Sequence, residues 1–117
     1  MTQKHSTLRD GKRLVWYTER LWTLAEGLAP FDKPVSEIAE VERDCWFAGK
    51  YAPTIRAIAD HCRRIEAADL DRPIILNSDG SLMDGGHRLA KAILEGKESV
   101  RAVQFVAMPE PDEIRAE

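Results

Sequence analysis

The sequence predicts an α+β fold, because helical and strand-like patterns occupy different parts of the chain. Apolar residues recur at steps of three and four over residues 14–28 and 53–68, which is typical of helices. Residues 73–106 instead read as strand, turn, strand, helix and strand in that order. Such an order lays helices against a small mixed sheet.

Length and composition indicate one domain. The chain has 117 residues, of which 44% are hydrophobic, and a domain takes roughly 150 residues. No apolar run approaches the roughly 20 residues of a membrane span, and no apolar stretch follows the basic N-terminus as in a signal peptide. Cys45 and Cys62 form no metal-binding or paired pattern. We therefore expect reduced thiols, a cytoplasmic location and no membrane contact.

The charge distribution favours a small anionic ligand over a nucleic-acid duplex. Seventeen Lys and Arg residues against twenty Asp and Glu give a net charge of −3, which argues against a surface that grips DNA phosphates. Basic residues are nevertheless concentrated in 86–101, and acidic ones in the last eleven residues. A local positive site in an acidic protein suits a nucleotide or a similar small anion.

The two ends of the chain are expected to lie outside the domain. Residues 1–13 are polar and basic without periodicity, which predicts a flexible arm. Residues 108–117 are acidic and contain proline, which predicts a frayed tail. The domain itself is then residues 14–107, beginning with a helical extension over 14–28 that Pro30 ends.

Residues 31–52 allow two interpretations. Ser36 to Glu40 fits an N-capped helical turn, whereas Pro34 to Ile38 fits a short strand with alternating faces. The apolar run Cys45-Trp46-Phe47 is expected to be buried as a lid over the core. Trp16 and Trp22 are likewise expected to pack in the core and not to stack on bases.

Residues 53–68 are the clearest predicted helix, with Pro53 in the first turn. Cys62 lies on the apolar stripe of this helix and is expected to be a small buried residue. His61 lies off the stripe, at the surface or half-buried. Arg63 and Arg64 are expected on a solvated face, from which one of them can reach the rim of a pocket.

The second half contains the strands. Pro73 to Leu76 is a fully apolar run, and Asp79-Gly80 predicts a hairpin turn before a returning strand at 81–83. After a break at Asp84-Gly85-Gly86, residues 87–94 predict a helix that Gly96 ends. Residues 100–106 predict the last strand.

The segment from Asp84 to Lys91 carries the chemistry. Gly85 and Gly86 allow the backbone to approach a ligand closely, and the N–H groups of the new helix face the same turn. Arg88 and His87 stand in the first helical turn, where a shared anion would explain cationic side chains. Lys91 follows one turn later on the same side. The alternative is a tight connection with Arg88 and Lys91 on a solvated face.

Residues 73–105 resemble the ParB/sulfiredoxin-like superfamily. The matching residues are Pro73-Ile74-Ile75-Leu76, Asp79-Gly80, Met83-Asp84-Gly85-Gly86-His87-Arg88, Ala92, Gly96 and Val100 to Phe105. The resemblance implies that the glycine turn and its arginine bind nucleotide phosphates. The family's ligands include CTP in ParB proteins, ATP in sulfiredoxin and ADP in a free serine kinase.

The branches of this superfamily differ in their turn. Sulfiredoxins carry a cysteine directly before His-Arg, and Gly86 stands there in this chain, so we expect no sulfiredoxin activity. ParB proteins add a helix-turn-helix part for which the residues after the last strand leave no room, which makes DNA binding doubtful. The Asp-Gly-x-His-Arg form is similar to the free serine kinase, which implies phosphotransfer from a nucleotide to a small hydroxyl substrate.

Phosphotransfer requires a carboxylate and Mg²⁺ near the phosphate. Asp84 can hold the metal or orient His87, or it can simply cap the following helix. Glu42 or Asp44 can be the counterpart of a glutamate in the kinase. We expect His87 to contact phosphate, the alternative being backbone carbonyls. We expect no zinc site, because His5 and His61 have no ligand-like spacing to His87.

The functional prediction is therefore nucleotide or phosphate binding by Gly85, Gly86, His87, Arg88 and Lys91. Asp84 and Glu42 are the candidate catalytic residues of a phosphotransfer, with Mg²⁺ and ATP, ADP or CTP as cofactors. The alternatives are a non-catalytic module that a nucleotide switches, and a DNA- or partition-associated protein.

Overall fold

A computed structural model describes residues 4–47 and 52–116. Within these ranges the chain forms an α+β fold, as predicted. The elements are β1 (Lys4–Arg9), β2 (Lys12–Tyr17), α1 (Thr18–Ala25), β3 (Phe31–Pro34), two 3-10 turns (Val35–Glu37 and Ala39–Glu42), α2 (Ile55–Ala67), β4 (Ile74–Leu76), β5 (Leu82–Asp84), α3 (Gly86–Leu94), β6 (Ser99–Gln104) and β7 (Glu113–Ala116).

The central sheet has the strand order β3-β6-β4-β5 and is mixed, as the sequence predicts. β4 and β6 run parallel, with Ile74 beside Ala102, while the other neighbours are antiparallel. A parallel pair needs a crossover, and here β5 and α3 lie between its two strands in the chain. The predicted strands and helix of residues 73–106 are confirmed to within two residues.

Two apolar clusters cover the opposite faces of this sheet. Alternate residues of β4 and β6 point to opposite sides, because side chains alternate along a strand. Ile75 and Val103 belong to a cluster with Trp16 of β2 and Leu21 of α1. Ile74 and Ala102 belong to a second cluster that α3 covers, together with Leu76, Leu89, Ala92, Val100 and Ile38.

The predicted arm and tail are wrong over the described residues. β1 and β2 form an antiparallel hairpin, and β7 pairs with the other edge of β2. Side chains fasten the two ends together: Trp16 Nε1 donates to the Pro109 carbonyl over 2.8 Å, and Tyr17 N donates to Asp112 Oδ2 over 2.7 Å. These partners stand more than 90 residues apart, so no local sequence pattern reports them.

The N-terminal half differs from its prediction in two further ways. The helix predicted from residue 14 begins only at Thr18, because residues 14–17 belong to β2. Between residues 35 and 42 the chain forms 3-10 turns, which is nearer to the helical-turn alternative, and the strand lies just before them at Phe31–Pro34. Residues 48–51, within the predicted 31–52 segment, lie outside the described residues.

Helix α2 is confirmed, but its apolar stripe is not buried. The Thr54 side chain caps its start by accepting from Ala57 N. Ile55 is 90% exposed, Ile58 is 48% exposed and Cys62 is exposed, so the prediction of a buried Cys62 is wrong. The neighbouring face of the helix, which carries His61, packs towards α3 instead.

Candidate functional site

A cavity of about 820 Å³ opens over the glycine turn between β5 and α3. Residues from β1, α1, α2, β5 and the first turn of α3 contribute to its walls, and so does the segment with Cys45 and Trp46. The fold thus gathers the glycine turn and all three histidines of the chain around one cavity.

The two glycines of the turn differ in how strictly the structure requires them. Gly85 has a φ of 116°, and a Cβ there would lie 2.6 Å from Cγ2 of the buried Ile74. At Gly86 a Cβ would lie 3.2 Å from Trp46 Nε1. Gly85 is also the residue before α3, and no side chain caps this helix. The first-turn N–H groups, with the positive end of the helix dipole, therefore lie at the cavity without a side-chain acceptor.

Arg88 is engaged by the protein itself. Its side chain is buried and donates to Asp84 Oδ2 over 2.7 Å and to the Pro73 carbonyl over 2.5 Å, with a longer contact of 3.3 Å to the Arg72 carbonyl. Burial lowers the pKa of this guanidinium, and Asp84 raises it. These contacts give Arg88 a role in holding the turn that the sequence analysis did not predict.

Lys91 lies outside the residues that line the cavity. Its Nζ donates to the carbonyls of Glu66 and Ala68 over 2.9 and 2.8 Å. Carbonyls at the end of a helix lack partners within that helix. Lys91 therefore ties α3 to the end of α2 and, in this arrangement, does not point to a phosphate at the turn.

The two predicted catalytic carboxylates are not brought together. Asp84 lines the cavity, but its Oδ2 accepts from both Trp22 Nε1 and Arg88, at 2.7 Å each. It does not cap α3, since Gly85 occupies that position. Glu42 is exposed and does not line the cavity. Asp44 accepts from the backbone N–H groups of its own turn.

The carboxylate that points inward from this segment is Glu40, which the sequence analysis did not single out. Its Oε1 accepts from Leu82 N over 3.0 Å, and its side chain is 15% exposed. Glu40 and Glu42 flank Val41 symmetrically in the sequence, and no local signal distinguishes them. Only the path of the 3-10 turns decides which one faces β5.

His61 and His87 form a hydrogen-bonded pair beneath Trp46. His61 Nδ1 lies 2.8 Å from His87 Nε2. The indole of Trp46 stacks on both rings, with centroid distances of 4.6 and 4.9 Å, and Phe47 meets His61 edge-on. The predicted lid therefore covers the histidine pair and not the core, and Trp46 remains 36% exposed.

The environment keeps both rings of this pair neutral near pH 7. Burial lowers the pKa of His87, His61 and Arg64 lower it further, and Asp84 opposes them. Burial and Arg64 also lower the pKa of His61, while Asp60 raises it. One ring consequently donates to the other in the 2.8 Å contact.

Two further groups at the cavity lack a protein partner among the described residues. Burial lowers the pKa of His5, and the nearby charges of Asp84 and Glu40 oppose this shift. The Nε2 atom of His5 is buried without a hydrogen bond. Arg64 lines the cavity, and no described carboxylate lies within ion-pair distance of it. The neighbouring Arg63 instead pairs with Asp60 over 3.3 Å on the solvent side. Of the two neighbouring arginines of α2, Arg64 is therefore the one that reaches the rim of the cavity.

The cavity offers little to a bare metal ion. Among the described residues, no group of three or more His, Cys, Asp or Glu side chains is placed to hold one. His61 and His87 have no ligand-like spacing in the sequence, but the packing of α2 on α3 brings their rings together. Asp84 is the sole carboxylate among the residues that line the cavity.

Comparison with protein-family models, with curated proteins and with solved structures finds no match for this chain. None of the described helices is long and apolar enough to span a membrane. The resemblance to the ParB/sulfiredoxin-like superfamily consequently stays an expectation.

Proposed function

We propose that the cavity binds a small phosphate-bearing anion at the start of α3. The observation that carries this proposal is Arg64, a cation without an ion pair among the described residues, in the same cavity as the uncapped first turn of α3. A helix N-terminus and a guanidinium together supply N–H donors and positive charge to an anion.

The charge of the cavity supports an anionic ligand. Lys4, Arg64 and Arg88 line it against one carboxylate, that of Asp84, which Arg88 already neutralises. Lys4 is held 3.5 Å from Glu113, so Arg64 provides the main unbalanced charge.

The proposed contacts revise the set predicted from the sequence. Gly85, Gly86 and His87 keep their places at the anion, since they form the turn and line the cavity. Arg64 replaces Arg88 and Lys91, whose donors serve the protein's own carbonyls and Asp84. His87 reaches the anion as a donor from the ring that His61 orients.

Nucleotides are the ligand class that the superfamily resemblance implies, and ATP, ADP and CTP are the first to test. The residues present do not fit a Mg²⁺ ion held by the protein, because Mg²⁺ takes oxygen ligands. Asp84 is the one carboxylate among the described residues that line the cavity, and its Oδ2 already accepts two hydrogen bonds. A metal would therefore enter only with the ligand's own phosphates.

Binding without turnover is favoured over phosphotransfer. Among the described residues that line the cavity, Asp84 is the one carboxylate, and Trp22 and Arg88 hold its Oδ2, which makes it a poor group to orient an attacking hydroxyl. Of the alternatives that the sequence leaves open, we therefore favour the non-catalytic one. A cytoplasmic location and the absence of DNA binding remain predictions from composition.

Calorimetric titration with ATP, ADP, CTP and inorganic phosphate at low salt tests the proposal. Arg64→Ala is expected to weaken binding at least tenfold, since a hydrogen bond to a charged group contributes about 1.5–3 kcal/mol. Arg63→Ala is the matched control, because it removes the same charge one residue away on the solvent side, and we expect less than a twofold change. Equal losses in the two variants, or no binding of any of the four anions, would refute the proposal.

A further inference from the structure

A second pocket, of about 350 Å³, adjoins the cavity. The two share Cys45, Trp46, Leu82 and Gly86 as walls. The remaining apolar residues around the second pocket are Val41, Phe47, Leu89, Ala90 and Ile93. An apolar pocket is thus built directly against the turn at which the anion is proposed to bind.

The polar side chains around this pocket already have partners in the protein. Glu40 accepts from Leu82 N at 3.0 Å and pairs with Arg43 at 3.7 Å. Asp44 Oδ1 accepts from the N–H groups of Trp46 and Phe47 at 3.0 and 2.7 Å. A nucleobase carries donors and acceptors on its edge that need partners when they are buried. A hydrocarbon group has no such requirement and gains free energy by leaving water.

Trp46 and Gly86 bring the two compartments into contact. The indole packs closely against Gly86, since a Cβ there would lie 3.2 Å from Trp46 Nε1. The apolar wall consequently begins at Gly86, the first residue of α3. The N–H groups of this first helical turn face the proposed anion site. The four shared wall residues make the two compartments immediate neighbours.

We propose that the second pocket is the subsite for a hydrocarbon group of the ligand. The ligand class is then an organic phosphate whose substituent is apolar and lacks a nucleobase. This inference rests on the proposed function, because it takes the anion site as the anchor for the phosphate.

A series of alkyl phosphates tests the inference on the full chain. We measure the affinities of inorganic, ethyl, butyl and hexyl phosphate by calorimetry, with 1-hexanol and CTP as further probes. Affinity is expected to rise about threefold to fourfold for each buried methylene, as the transfer of a CH₂ group predicts, until the pocket is full. Hexyl phosphate is expected to bind more tightly than CTP.

Two pocket variants and one control variant test whether the effect arises in the pocket. Ala90→Leu puts three carbons into it and is expected to abolish the dependence on chain length, whereas Ala67→Leu adds the same carbons on the exposed side of α2 and leaves the dependence unchanged. Ile93→Ser provides a second test, since Ile93 is 44% exposed and its replacement does not open the core. We expect it to flatten the dependence in part.

The outcomes separate this inference from the proposed function. Binding of inorganic phosphate with no gain from the alkyl chain would overturn the apolar subsite and leave the anion site standing. Tighter binding of CTP than of hexyl phosphate would also overturn it, in favour of a nucleobase. Equal affinities for hexanol and hexyl phosphate, with no phosphate binding, would overturn both, because the pocket would then act without the anion site.

Discussion

Arg88 and Asp84 form an ion pair of 2.7 Å across the glycine turn, and each is fastened at a second point. Arg88 also donates to the carbonyls of Arg72 and Pro73, which lead into β4, while Asp84 accepts from Trp22 of α1. The pair thereby connects α1, β4, β5 and α3. It fixes the position of the turn over which the anion is proposed to lie.

Arg88→Ala is expected to destabilise the protein by about 3 kcal/mol, because it leaves a carboxylate that is 15% exposed without its counterion. It also removes the donor to two carbonyls. Urea unfolding measures the loss. Arg63→Ala removes an exposed pair on α2 and is expected to cost less than about 0.5 kcal/mol. A small effect of Arg88→Ala together with a selective loss of phosphate binding would instead assign Arg88 to the ligand.

Lys91→Met is expected to lower the free energy of unfolding by about 1–2 kcal/mol, since both hydrogen bonds to the end of α2 are lost while the aliphatic part is kept. Amide exchange over the last turn of α2 should accelerate with it. Lys97→Met, at an exposed position after α3, is the control. If the two variants are equally stable, the role of Lys91 as a link between helices is wrong.

Gly85→Ala is expected to cost more than Gly80→Ala. Both glycines have positive φ, 116° and 89°, so alanine is strained at each by about 1 kcal/mol. Gly80 has open space around it, whereas a Cβ at Gly85 meets Ile74, which is fully buried in the core beneath α3. We expect an additional 1–3 kcal/mol, roughly, for this overlap. Thermal unfolding compares the two variants, and equal losses would show that Ile74 gives way.

The second half of the fold could be predicted from the sequence because its signals are local. The apolar run before Asn77, the turn at Asp79-Gly80 and the periodicity of 87–94 each fix one element. The three-stranded sheet of β1, β2 and β7 could not be predicted in this way, because β1 and β7 are polar strands whose sheet joins the two ends of the chain. Their composition alone is that of an arm and a tail.

The same contrast applies to the candidate site, in which local features could be predicted and contacts between distant elements could not. Gly85, Gly86 and His87 stand where the sequence motif placed them. The contacts of Arg88, on which its proposed replacement by Arg64 rests, could not be predicted, since they depend on which carbonyls lie within reach of Arg88 and on how α2 packs on α3. The pairing of His61 with His87 has the same origin, because 26 residues separate them.

Stability is expected to fall as the pH drops below about 6.5. The folded-state pKa values of His5, His61 and His87 are all lowered from 6.5, so the unfolded chain takes up protons first. The contribution of these histidines is complete above pH 6.5 and is lost as the pH falls towards their folded values. Glu113, whose pKa the Tyr17 hydroxyl and Arg115 lower to about 2, titrates in a separate and more acidic range.

Urea unfolding at pH 7.5 and 5.5 measures this dependence. The double variant His61→Gln, His87→Gln is expected to lose less stability between the two values than the unchanged protein does, because two of the three titrating groups are gone. An unchanged pH dependence in the double variant would mean that the stacked pair under Trp46 does not titrate as its burial predicts.

An amide chemical-shift titration of the full chain with inorganic phosphate at low salt tests the anion site most directly. We expect saturable shifts at Gly86 and His87, at the start of α3, and their loss in Arg64→Ala but not in Arg63→Ala. Shifts that are spread over exposed Lys and Arg residues without saturation, or none at the glycine turn, would contradict the anion site.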